Sequence, residues 1–166
     1  MEIAPGTLLV STPLLKGSLF EESVILLVEC NENGVIGFIV NKLFPRKLNE
    51  LTEFKDAIAS SIFYGGPVDN EHLFFVHQHA DVIEGSMYVS GKISWGGNFE
   101  QTLQYIQEGL VLEKEVKIFI GYSGWDVQQL KDEITEGSWE VINAQENVAF
   151  TTNPSMLWEI LYARRN

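Results

Sequence analysis

The stretch from Ser23 to Lys42, SVILLVECNENGVIGFIVNK, limits the possible folds more than any other part of this chain. Ser23 to Glu29 is almost continuously apolar. A half-buried strand alternates apolar and polar residues, so a run like this one predicts a strand covered on both faces. Asn31-Glu32-Asn33-Gly34 then separates two β-rich runs. An Asn-Gly pair there is a strong hairpin signal, because both residues tolerate positive φ. Gly37, inside the second run, predicts a bulge or a close backbone approach. A β-hairpin buried on both faces requires layers above and below it.

The rest of the chain supplies those layers. Thr7–Ser11, Leu73–His77, Ser86–Ser90, Val116–Tyr122 and Trp139–Ile142 read as strands, and Ile62–Val68 as a strand breaking at Gly65-Gly66-Pro67. Leu48, Leu51, Phe54 and Ile58 predict a modest helix. Asn98 caps a second helix, with Gln101 at the reciprocal capping-box position and Gly109 beyond its end. A third starts at about Asp126, with Gly137 beyond its end. Asn153-Pro154 opens a fourth over SMLWEILYAR. Strands dominate the first half, and strands alternate with helices in the second. That order predicts an α+β fold with a mixed sheet. No repeat, low-complexity segment or linker divides residues 1–166, which read as one domain.

Charge and cysteine content exclude several function classes. The formal net charge is −12, a field that repels phosphate backbones, so direct nucleic-acid binding is disfavoured. Lys42, Arg46 and Lys47 make the one internal basic cluster, and it reads as solvated surface. Cys30 is the single cysteine, which rules out an intrachain disulfide and a cysteine-based zinc site. The first residues lack the basic start and long apolar core of a signal peptide, and no run reaches the roughly 18 apolar residues that cross a membrane. A cytoplasmic address is expected, with no membrane contact.

The clearest candidate for chemistry is KIFIGYSGWDVQQL, Lys117 to Leu130, where an apolar run meets glycines and a helix pattern follows. A hydrolase nucleophile elbow reads G-x-S-x-G. Here Trp125 replaces the second glycine, and His72, His77 and His79 all precede Ser123, so the elbow reading is weak. A phosphate cradle lacks the lysine of a P-loop, and Asp126 supplies the wrong charge, reading instead as the cap of its own helix. The stretch is therefore expected to be a glycine-permitted turn with Trp125 packed as an anchor. His77 and His79 share a strand face near Asp81, but no third or fourth metal ligand can be named. Gly65-Gly66-Pro67 either presents backbone amides to a ligand or simply turns. Asn41 and Lys42 offer a carboxamide and an ammonium at a strand end, which suits a small anion or a plain surface.

Taken in order, SVILLVECNENGVIGFIVNK, FYGGPV, FFVH, IFIGYSGWDVQQLKDEITEGSW and LWEIL resemble the YqgE/AlgH family of bacterial proteins, over roughly Gly6 to Leu161. The resemblance implies a single α+β domain whose bent, mixed sheet forms a partial barrel flanked by helices, in a bacterial cytoplasmic protein. It implies no reaction, and the family's label of transcriptional regulator carries no recognisable DNA-binding motif. The family's marked positions fall on Gly37, Asn41, Lys42, Gly65, Gly66, Pro67, His77, Gly121, Tyr122, Gly124, Trp125, Gln129, Leu130 and Trp139. Relatives often carry alanine at position 123 and arginine at position 42. These are mainly turn-formers and aromatics, which suits a scaffold or binding surface better than an active site. The first expectation is thus a non-enzymatic regulatory or partner-binding domain, with an unidentified protein partner or small ligand and no cofactor or metal. Its binding candidates are Asn41, Lys42, Gly65, Gly66, Pro67, His77, Tyr122, Gly124, Trp125 and Gln129. The alternative is an enzyme or a sensor of a small anionic ligand, using Asn41, Lys42, the Gly65-Gly66 amides and His77. A transcriptional regulator, acting directly or through a partner, ranks third.

Overall fold

The computed structural model describes residues 3–143, 146–151 and 154–165. Ten strands form one sheet: β1 (Leu8–Ser11), β2 (Val24–Asn31), β3 (Gly34–Ile39), β4 (Leu43–Lys47), β5 (Ser61–Tyr64), β6 (Val68–His77), β7 (Met87–Ser90), β8 (Ile93–Trp95), β9 (Val116–Trp125) and β10 (Trp139–Ile142). Their order is β10-β1-β2-β3-β9-β6-β8-β7, with β5 also on β9 and β4 on β5. Every pairing is antiparallel except β5 with β9, which makes the sheet mixed. It is open, with β10 and β7 at the ends of the main path and β4 at the end of the branch. The helices are α1 (Phe99–Gln107), α2 (Val127–Thr135), the short α3 (Glu146–Ala149) and α4 (Leu157–Ala163). This is the expected α+β architecture.

Strand β2 is buried on both faces, as its unbroken apolar run requires. Val24, Leu26 and Val28 point into a core that includes Leu157 and Leu161 of α4. Ile25 and Leu27 point the other way, into a core with Leu130 of α2 and Trp125. Alternation along the strand sends neighbours to opposite faces, and each face is roofed by a helix. A third apolar cluster joins Phe75 and Ile118 to Leu103 and Ile106 of α1. The hairpin forms where expected, and Asn31 steadies it by accepting the Asn33 N–H at 2.8 Å. Gly37 faces Leu27, next to a register shift between Leu27 and Glu29. A Cβ on it would lie 2.7 Å from the Ile25 side chain, so the approach there is close.

Three local expectations are corrected. The segment after Leu48 is not an α-helix but two 3₁₀ turns, Leu48–Glu50 and Thr52–Phe54. Leu51, Phe54 and Ala57 each donate to the carbonyl three residues back. The three-residue spacing of Leu48, Leu51 and Phe54 is the 3₁₀ period, and it still turns all three toward one apolar cluster. At α1, Asn98 caps by accepting from the Gln101 N–H, but the Gln101 carboxamide accepts from Glu84 instead of closing the box. Strand β4, for which the sequence reading made no prediction, runs through Pro45, which is compatible with a sparsely hydrogen-bonded pair shifted in register. Most consequentially, Gly121 to Trp125 is no turn: β9 continues through it, and the chain reverses only at Asp126, whose carboxylate caps α2. The expected N-cap of the last helix, Asn153, lies outside the described residues; Pro154 opens a 3₁₀ turn ahead of α4.

Candidate functional site

The glycines of the two motifs meet one another. The first part of β9 pairs with β5 and β6, while Ser123, Gly124 and Trp125 pair with Gly37, Ile36 and Val35 of β3. Gly65-Gly66 crosses this junction. The Gly65 N–H donates to Ile120, and the Gly65 carbonyl accepts from Ile39. A Cβ on Gly66 would lie 2.2 Å from the Tyr122 carbonyl, and one on Gly121 would lie 2.3 Å from the Gly66 oxygen. Gly66 and Gly121 also have φ of 154° and 72°, where side chains are disfavoured. Two backbones pass so closely here that only hydrogen fits. Ser123 is fully buried and donates to the Gly65 carbonyl at 3.1 Å. It holds the crossing together and has no path to a substrate.

Other polar candidates are likewise engaged inside the fold. Asn41 accepts from the Val24 N–H and donates to the Glu22 carbonyl, both at 2.9 Å, tying the end of β3 to the start of β2. Lys42 donates to the Leu19 carbonyl at 3.1 Å; partial burial lowers its pKa, against the pull of Glu21 and Glu22. His77 is fully buried. Its Nδ1 accepts from the His79 N–H at 3.1 Å, which leaves Nε2–H to donate to the Gly96 carbonyl at 3.0 Å. Burial keeps this imidazole neutral by lowering its pKa. His79 turns to Glu115 at 2.8 Å, and this bond lowers the pKa of that carboxyl. No group of three or more His, Cys, Asp or Glu side chains placed to hold a metal ion occurs among the described residues.

The structure brings some candidates together and separates others. Lys42 accepts a backbone bond from Tyr64, beside Gly65. His77, by contrast, pairs with Val116, whereas Gly65 bonds Ile120. Four residues along a strand amount to roughly 13 Å, so His77 does not share a pocket with the Gly65-Gly66 amides. Tyr122, Gly124 and Trp125 line a shallow cavity of about 270 Å³ beside the β2–β3 hairpin. Trp125 is nevertheless only 6% exposed. Gln129 donates to Glu133 at 3.0 Å and acts within α2. Pro67 is exposed and leads into β6.

One residue escaped the sequence reading. Lys117, in the apolar run of β9, is 5% exposed, and its Nζ donates to the Val40 carbonyl at 2.6 Å. Phe63 places its ring 4.0 Å from that nitrogen. Burial brings the amine down to a pKa of about 7. The available signal was a lysine inside VKIFI, a run otherwise fit for a covered strand.

Known proteins share this arrangement. The family model described as AlgH-like, DUF179, matches residues 8–165. A UPF0301 protein of Cytophaga hutchinsonii is 35% identical over 158 residues, covering 95% of this chain and 87% of the relative. A UPF0301 protein of Chlorobaculum parvum is 38% identical over 153 residues, covering 92% and 82%. The crystal structure of protein DIP2367 from Corynebacterium diphtheriae superposes with a TM-score of 0.82 at 22% identity, covering all of this chain and 89% of its own, a likeness of fold. The solution structure of AlgH from Pseudomonas aeruginosa gives a TM-score of 0.78 at 25% identity, covering 99% and 92%. With the family model matching nearly its whole length, the chain belongs to the AlgH-like, UPF0301 family.

Proposed function

We propose that this protein is a partner-binding regulatory domain that works through protein contacts and turns over no substrate. The observation that carries the reading is the edge strand β7. Its sequence, MYVS, holds no charge, and it pairs with β8 alone among the described strands. Tyr88 is 71% exposed and Met87 lies beside it in the open. Edge strands are ordinarily guarded by charge, proline or a covering segment, because their free N–H and C=O groups recruit other strands. A short edge with no charge or proline and an exposed tyrosine suits an extended segment of a partner, added as a further strand. A net charge of −12 favours a segment carrying lysine or arginine. Supporting the non-catalytic part, Asn41, His77 and Ser123 spend their hydrogen bonds inside the fold.

The test is affinity purification from the native bacterium at low salt, comparing wild type with a Met87→Lys, Tyr88→Lys variant. The expected result is a specific protein partner that the variant, folded and melting like wild type, binds at least tenfold more weakly. A partner retained undiminished by the variant would remove the edge-strand reading. Turnover of a substrate by the purified chain would remove the non-catalytic one.

A further inference from the structure

Lys117 has surroundings unlike those of a structural lysine. Among the described residues no carboxylate pairs with it, although a buried charge ordinarily demands one. Its bond to the Val40 carbonyl uses one N–H. In the neutral amine this leaves a second N–H and the lone pair. Two cavities flank the side chain, of about 370 and 140 Å³, and both share Phe63, Lys114 and Val116 as walls. Ser60, Ser61 and Glu113 complete the larger; Phe150 and Thr151 complete the smaller. The amine is therefore desolvated and lies beside space for a small molecule, in cavities that the exposed Lys114 also lines. Burial in apolar surroundings is one means by which a lysine is made nucleophilic near neutral pH.

We propose that Lys117 is a covalent capture site for a small aldehyde or α-keto acid, seated in a cavity beside Phe63 with its anionic group against Lys114. The Nζ lone pair adds to the carbonyl carbon as the C=O π pair moves to oxygen, and one nitrogen proton passes through solvent to that oxygen, giving a carbinolamine. The hydroxyl then takes a proton from solvent and leaves as water. The nitrogen lone pair forms C=N, and loss of the remaining N–H proton returns what solvent lent. Amine and carbonyl become imine and water, with no oxidant or reductant. With the amine at about pKa 7, close to half of it is free base at neutral pH. Ordinary lysines keep roughly one part in a thousand or less. This site is independent of the β7 edge and of the partner it would bind.

The experiment traps the imine. Wild-type protein at pH 7 is incubated with glyoxylate and cyanoborohydride, and labelled lysines are mapped by peptide mass spectrometry. Lys117 is expected to label at least tenfold faster than exposed Lys16 and Lys55, and the label is expected to vanish in Lys117→Met. Equal or slower labelling of Lys117 would overturn the proposal, and this comparison within wild type needs no variant to fold. Lys114→Gln is expected to slow capture of glyoxylate severalfold while leaving uncharged acetaldehyde unaffected. Equal effects on both probes would overturn the assignment of the anion to Lys114.

Discussion

Trp125 and Trp139 meet edge to face, their ring centroids 6.0 Å apart and their planes at 87°. Both indole N–H groups donate to the same oxygen of Glu133, at 3.3 and 3.0 Å. Phe20 stacks on the first ring and meets the second edge-on. The carboxylate of α2 thus fastens the end of β9 to the edge strand β10. Trp125→Ala is expected to cost about 3–5 kcal/mol, whereas Ser123→Ala, losing one hydrogen bond to Gly65, costs about 1 kcal/mol. Urea unfolding of both variants measures this, and equal midpoints would contradict it.

The backbone crossing makes a prediction in which neighbouring glycines differ sharply. Gly121→Ala and Gly66→Ala drive a Cβ into backbone from conformations hostile to it, for a loss on the order of 3 kcal/mol or more. Gly124 lacks positive φ, and a Cβ there would find the Tyr122 ring at 3.4 Å, an ordinary contact. Gly124→Ala is expected to melt within a few degrees of wild type. Thermal melts of the three variants, compared side by side, decide the matter.

Lys117 makes stability depend on pH in a definite direction. Its pKa is about 7 in the folded chain against an ordinary 10.5. Between those values the unfolded chain binds a proton that the folded chain lacks, so stability rises with pH. The slope approaches about 1.4 kcal/mol per unit. The gain is complete above 10.5, is lost as pH falls toward 7, and changes little below that. Wild type is expected to gain on Lys117→Met by about 1 kcal/mol or more between pH 8 and 9. Denaturation curves at pH 7, 8 and 9 test this, and a constant difference would show that the amine keeps its proton.

Random duplex DNA is expected to bind with a Kd of about 10⁻⁴ M or weaker at physiological salt, given the acidic field of the chain. Fluorescence anisotropy measures it. Sub-micromolar binding at 150 mM salt would instead support direct transcriptional control and overturn its third place.

Local signals were legible in the sequence wherever one residue type has one dominant role. The continuous run of β2 announced its double burial, and Asn98 and Asp126 announced their helices. Glycine has two roles, and at Gly121 to Gly124 the sequence could not distinguish a chain reversal from a strand pressed against another backbone. The second segment in that contact, Gly65-Gly66 between β5 and β6, lies far away along the chain. Lys117 was missed for the same reason: the groups that bury it, Val40 and Phe63, come from β5 and the end of β3. Trp125 was rightly read as an anchor, but its partner carboxylate, Glu133, is visible only once α2 folds back beside β10.

The position of β9 has a consequence for synthesis. This strand is the shared neighbour of β3, β5 and β6, yet it is made after all of them. A chain emerging from the ribosome exposes the unpaired sides of those strands until residues 116–125 leave the exit tunnel, and closure then requires contacts across long stretches of sequence. Such topology folds slowly and leaves hydrophobic edges open to other chains meanwhile. A nascent chain stalled before Val116 is thus a natural client for a chaperone, and release of Trp125 marks the earliest point at which β3, β5 and β6 can be joined through β9.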